Sequence, residues 1–169
     1  MEQSDQSQET HIIRPLRLED IPRLEGIAAA AWLPIYRHFA HLQEQALGEV
    51  ARPYRLEGKR EQVRRFCEEH PDQVLVSEWC GRVAGFITFT FDEANAIGVI
   101  GNNAVHPDYT GRGIGTGQYR RAIEVFRQRG MRYAAVTTGL DESHAPARRA
   151  YEKVGFVPVL SSVEYMMKL

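Results

Sequence analysis

Between Val99 and Phe126 the sequence VIGNNAVHPDYTGRGIGTGQYRRAIEVF changes period. Val99 to Val105 is apolar and small enough for a buried strand, whereas Tyr119, Ala122, Ile123 and Phe126 recur at helical spacing. Between them stands Gly111-Arg112-Gly113-Ile114-Gly115. A strand that ends in a glycine loop opening directly into a helix gathers free backbone N–H groups around one point, at the positive end of the helix dipole. The chemistry such a nest offers is phosphate binding. Two common versions do not fit. Gly115 is followed by Thr116-Gly117 instead of the Lys-Ser/Thr that ends a P-loop. Three residues beyond Gly113 and Gly115 lie Thr116 and Gln118, which breaks the dinucleotide fingerprint.

Thr110-Gly111-Arg112-Gly113-Ile114-Gly115 instead resembles the pyrophosphate loop of the GNAT superfamily of acetyl-CoA-dependent N-acetyltransferases, Gln/Arg-x-x-Gly-x-Gly/Ala, with Thr110 in place of the usual Gln or Arg. Tyr151-Glu152-Lys153-Val154-Gly155-Phe156 is similar, letter for letter, to a segment that ends a later helix in that family. Ile13-Arg14-Pro15 followed by Glu19-Asp20 resembles its first strand and helix start. The likeness runs from about His11 to the C-terminus. His144 stands where many members carry an asparagine.

The resemblance implies roles for particular residues. The strand before the loop splays from its parallel neighbour, so backbone groups at Ala104 and Val105 pair with the pantetheine arm and an N–H there points at the acetyl oxygen. One such donor is worth roughly 3 kcal/mol of barrier. The amides of Arg112, Gly113, Ile114, Gly115 and Thr116, with Gly111 opening the turn, cradle the pyrophosphate. His144 takes the place of a contact to the pantetheine arm. Tyr151 donates a proton to the departing thiolate or holds the sulfur, and with an ordinary pKa of ~10 it is protonated at neutral pH. Plainer readings stand beside these: a solvated Arg112, a bare glycine turn, a core Tyr151.

The base is the open role. An alkylamine of pKa ~10 must lose a proton before it attacks. Some relatives place a glutamate early on the strand, at about Val99 here, which cannot serve. His106, Asp92, Glu93, Asp141 and Glu142 at strand ends, His38 or His41, and a water chain all stay open.

The elements that must position these groups follow from periodicity. His11 to Leu18 reads as a strand. Ile21, Leu24, Ile27, Ala28 and Ala31 mark a helix that Pro34 is expected to break or restart. Trp32, Ile35, Tyr36 and Phe39, near His38 and His41, are either one wall of an acceptor pocket or an amphipathic face on the core, and burial alone accounts for the stripe. Gln43 to His70 is highly charged, with Val63 and Phe66 as the main apolar anchors of a surface helix. Val74 to Glu78 and Val83 to Phe91 form a hairpin around Cys80-Gly81-Arg82, and Ile97 to Val105 pairs back on it. Tyr133 to Thr137 completes a right-handed β-α-β unit. Pro146 and Gly155 frame a last helix, and Phe156 to Leu160 and Val163 to Met167 read as terminal strands. The expected fold class is α+β, a mixed sheet of six to seven strands, largely antiparallel with one central parallel pair and helices on both faces.

The chain has 169 residues, 43% hydrophobic, with 21 basic against 22 acidic residues. That length suits one domain, over residues 11–169, behind a polar tail at 1–10 expected to be disordered. A balanced charge gives no support to nucleic-acid or membrane binding. The absence of a span or signal makes the cytoplasm the default. Cys67 and Cys80 are too few for a disulfide framework. The function implied is N-acetyl transfer from acetyl-CoA to a primary amine of a small molecule or peptide, without a metal, in a protein that family habit makes a homodimer. The alternative is a non-catalytic CoA-binding sensor or regulatory module, motivated by Thr110, His144 and Val99.

Overall fold

A computed structural model describes residues 10–169. The expected tail lies outside them apart from Thr10. Five strands form one sheet in chain order: β1 (His11–Pro15), β2 (Val74–Trp79), β3 (Arg82–Asp92), β4 (Ile97–Val105) and β5 (Tyr133–Val136). All neighbours are antiparallel except β4 and β5. Cys80 and Gly81, with φ of 48° and 74°, make the two-residue turn between β2 and β3, the positive φ pair that suits the twist of a hairpin.

Alternation along the strands builds two cores. Val74, Val76 and Phe86 face one side, against Leu24, Ile27 and Ala28 of α1 (Ile21–Leu47) and Val63 and Cys67 of α2 (Leu56–Glu69). Leu75, Ile87 and Phe89 face the other, against Tyr119, Ala122 and Phe126 of α3 (Ile114–Gln128) and Tyr151 of α4 (Ala145–Lys153). Helices on both faces follow from this split.

Two expectations are corrected. Pro34 does not break the helix, which runs through it for 27 residues. The missing N–H costs about 3 kcal/mol. Burial of Leu24, Ile27 and Ala28 before it, and packing of Tyr36 and Phe39 after it, offset that cost. The two terminal strands do not form, so the sheet has five strands instead of six to seven. Beyond Gly155 the chain is irregular, and Val159, Leu160 and Tyr165 are 94%, 92% and 91% exposed. No strand of the described residues pairs with this stretch; Glu164 meets Arg52 at 2.7 Å and Lys168 meets Glu49 at 3.0 Å instead, which holds it beside the α1–α2 connection.

Candidate active site

β4 outruns β5. Only Ile97 to Ile100 pair with Tyr133 to Val136, so the rest of β4, to Val105, has no strand on that side among the described residues. On its other edge β4 stays on β3, and the His106 N–H donates to the Ala84 carbonyl at 2.8 Å. In an antiparallel ladder successive residues alternate their backbone groups between the two edges. Ala104 therefore turns its N–H and C=O toward β3, whereas Val105 and Asn103 turn theirs to the open edge. Of the two strand-end residues, Val105 offers a ligand one backbone donor, its N–H, and one acceptor, its C=O, and Ala104 contributes a small buried side chain under α1.

A β-bulge re-aims the side chains just before that end. The register slips between Ile87 and Phe89. The Thr88 hydroxyl fills the irregularity, accepting from the Asn102 N–H at 2.8 Å and donating to the Asn102 carbonyl at 3.3 Å. A Cβ on Gly101 would stand 2.7 Å from that hydroxyl, so glycine is required there. As a result Asn103 points to the α3–α4 side and Asn102 to the α2 side.

Tyr151 lies under the open stretch. Its hydroxyl donates to Asn103 Oδ1 at 3.1 Å, and Asn103 Nδ2 donates to the Tyr119 hydroxyl at 2.6 Å, with the two phenol rings 4.7 Å apart. Burial pushes both phenols above the ordinary tyrosine range. Tyr151 therefore holds its proton throughout the neutral and mildly alkaline range, as a proton donor must.

The glycine loop sits against the strand end, since a Cβ on Gly115 would be 3.9 Å from Val105 Cγ2. Gly111 and Gly113 both have φ of +77°, the left-handed conformation that glycine adopts without strain. The first intrahelical bond of α3 runs from the Gly117 N–H to the Gly113 carbonyl at 3.0 Å, so the amides of Ile114, Gly115 and Thr116 come before it. Nothing lies within 4 Å of a Cβ built on Gly111 or Gly113. This cradle fits a diphosphate. The Thr110 hydroxyl donates to the Pro107 carbonyl at 2.9 Å and is used in the turn. The Arg112 guanidinium lies over Trp79 and Tyr109, at 5.3 and 5.9 Å.

His144 belongs to a second group. Its Nδ1 meets Asp141 Oδ2 at 2.8 Å, its ring stacks on Phe39 of α1 at 5.8 Å, and His38 approaches Asp141 Oδ1 at 3.7 Å. Burial opposes ionisation of Asp141, but hydrogen bonds from Ser143 and His144 outweigh it and hold the carboxyl below its usual range. With Nδ1–H donated to Asp141, the neutral imidazole keeps Nε2 as a proton acceptor. The aromatic stripe beyond Pro34 thus packs on the loop before α4 and on Tyr54 rather than on either core.

The other candidate bases are elsewhere. Asp92 ends β3 and Glu93 opens the turn to β4, bonded to Asn95 and Arg129 respectively. His106 accepts from the Asp108 N–H at 3.3 Å in the turn after β4. Glu142 and His41 are exposed. Sequence reasoning missed Asn102, Asn103 and Lys59. Two adjacent asparagines inside an apolar strand were the available signal for the first two.

The family model described as "Acetyltransferase (GNAT) family" matches residues 39–156. The fold is similar to the crystal structure of PaiA N-acetyltransferase from Thermoplasma acidophilum in complex with coenzyme A (17% identity, 88% of this chain and 90% of that chain, TM-score 0.62). It is similar to the ribosomal-protein-S18-alanine N-acetyltransferase from Escherichia coli (20%, 89% and 80%, TM-score 0.60). It is also similar to a GNAT family acetyltransferase from Brucella melitensis in complex with acetyl-CoA (22%, 88% and 84%, TM-score 0.60). No curated protein matches the sequence.

Proposed function

Since this chain belongs to the acetyltransferase (GNAT) family, we propose that it moves an acetyl group from acetyl-CoA to a primary amine of a small molecule or peptide by direct attack on the thioester. The observation that carries this reading is the open edge of β4 at Val105, with the glycine loop beside it and the Tyr151 hydroxyl beneath it. Acetyl-CoA supplies an activated acyl group. The amides of Gly113 to Thr116 hold its diphosphate at the α3 N-terminus, and the Arg112 guanidinium adds charge beside them. The Val105 N–H faces the thioester oxygen and stabilises the negative charge that develops there. Tyr151, kept protonated by burial, gives a proton to the departing thiolate. The amine sheds its own proton to solvent or to Nε2 of His144, whose Nδ1 meets Asp141 Oδ2 at 2.8 Å. The protein acts in the cytoplasm and as a homodimer in this reading.

Release of free thiol from acetyl-CoA, measured across a panel of primary amines, tests the proposal. Turnover with at least one amine is expected. Coenzyme binding without turnover on any of them points to the sensor module instead.

A further inference from the structure

Lys59 is 8% exposed, and no carboxylate among the described residues pairs with it. Its ammonium donates to Gln62 Oε1 at 2.7 Å and to Asn102 Oδ1 at 2.8 Å, and it sits 4.1 Å from the centre of the Trp32 ring. A lysine has donors only, so each amide must turn its oxygen to Lys59 and its NH2 group the other way. Neither NH2 group has an acceptor among the described residues. Asn102 and Gln62 both line a cleft of about 350 Å³ between α2 and β4, together with Glu61, Arg65, Phe66 and Glu69.

The ionised groups at this cleft, Lys59, Arg64 and Arg65 against Glu61 and Glu69, leave one positive charge over. Glu61 is paired with Arg64, and Glu69 with Arg65 at 3.5 Å, which leaves the Lys59 charge without an acidic partner. Two aimed N–H donors backed by an unbalanced cation suit a carboxylate. Burial without such a partner is what pulls the Lys59 amine down to about 8. The cleft is on the strand that carries Val105, three residues earlier, which is about 10 Å along an extended backbone.

We propose that the cleft between α2 and β4 holds the carboxylate of the acceptor while its amine reaches Val105, so that the acceptors are amino carboxylates whose two groups stand several bonds apart. This rests on the acetyl-transfer reading. Lys59 is a positioning residue in it, orienting Asn102 and Gln62, which make the contact. A free α-amino acid is too short to span the two points, whereas the terminal amine of an ω-amino acid or the side-chain amine of a basic amino acid has the length.

Two measurements on the full chain test this. In the thiol-release assay, kcat/KM for 6-aminohexanoate should exceed that for hexylamine by about tenfold or more, mainly through KM. Gln62→Leu, an exposed position that does not threaten folding, and Lys59→Met should each bring the ratio toward one. Equal rates with the two amines, or a ratio that survives both substitutions, overturn the proposal. The second measurement needs no turnover: in 15N-labelled protein, 6-aminohexanoate should shift the side-chain NH2 signals of Asn102 and Gln62. Unmoved signals at saturating 6-aminohexanoate overturn the cleft assignment, whereas shifted signals with no turnover of any amine support it and count against the acetyl-transfer reading alone.

Discussion

The Tyr151 hydroxyl donates to Asn103 Oδ1 at 3.1 Å, and Asn103 lies on β4 just before the open strand end. The bulge at Thr88 makes this contact, because it turns Asn103 to the α3–α4 side while Asn102 faces α2. Tyr151 is therefore fixed to the strand that carries the Val105 amide. Tyr151→Phe removes the hydroxyl and keeps the ring packed on Tyr119 and Phe156. We expect kcat to fall by about a hundredfold with little change in CoA affinity. Steady-state kinetics beside calorimetric titration with CoA checks both, and an unchanged kcat reduces Tyr151 to a packing residue.

Gly113 adopts φ of +77° at the mouth of the cradle, with nothing within 4 Å of its Cβ position. Gly113→Glu places a negative side chain where the diphosphate must sit and strains the turn. CoA binding should drop below detection in isothermal titration while the thermal transition moves by only a few degrees, the backbone strain being on the order of 1 kcal/mol. Retained affinity shows that the diphosphate is held elsewhere.

Gly85 allows β3 to lie close to the end of β4. A Cβ there would stand 2.6 Å from the Ala104 carbonyl oxygen and 2.7 Å from Gln118 Nε2, and the carbonyl is backbone that cannot rotate away. Gly85→Ala should destabilise the fold by about 1–3 kcal/mol in denaturant titration. It should also lower kcat/KM in the residual folded fraction, since Val105 is the residue paired with Gly85. A loss of stability with full specific activity separates the strand spacing from catalysis.

Lys59 should make stability depend on pH in the alkaline range. Burial lowers its amine from the ordinary 10.5 to about 8. Between these values the unfolded chain binds the proton and the folded chain does not, so stability rises as pH rises through the window. Below pH 8 both states hold the proton and the full penalty applies. Lys59→Met lacks this dependence. From pH 8 to 10 wild type should gain roughly 2 kcal/mol relative to Lys59→Met in urea unfolding, the tyrosines that titrate near the top of this range being common to both proteins. Parallel curves over that range place the Lys59 ammonium in water.

The parts legible in the sequence are those set by local pattern. The strand, glycine loop and helix from Val99 to Phe126, the Cys80-Gly81 turn and the helix ending at Lys153 need only periodicity, glycines and caps. What could not be read depends on contacts between distant segments. Pro34 stays helical because residues on both sides of it pack. The apolar runs after Phe156 form no strand, since a strand requires a partner edge that no local pattern reports. Asn102 and Asn103 look alike in sequence, and only the bulge decides that one serves α2 and the other α4. Lys59 reads as one charge among many on a surface helix, but Trp32, Gln62 and Asn102 close around it.

The central claim is that the backbone around Gly111 to Thr116 grips the diphosphate of coenzyme A. Titration of 15N-labelled protein with coenzyme A, read at the amide signals of Gly111, Gly113 and Gly115, tests it most directly. These three should move together and by more than the amides of β1 or α2, saturating at the affinity that calorimetry reports. Stationary glycine signals in the presence of bound coenzyme contradict it.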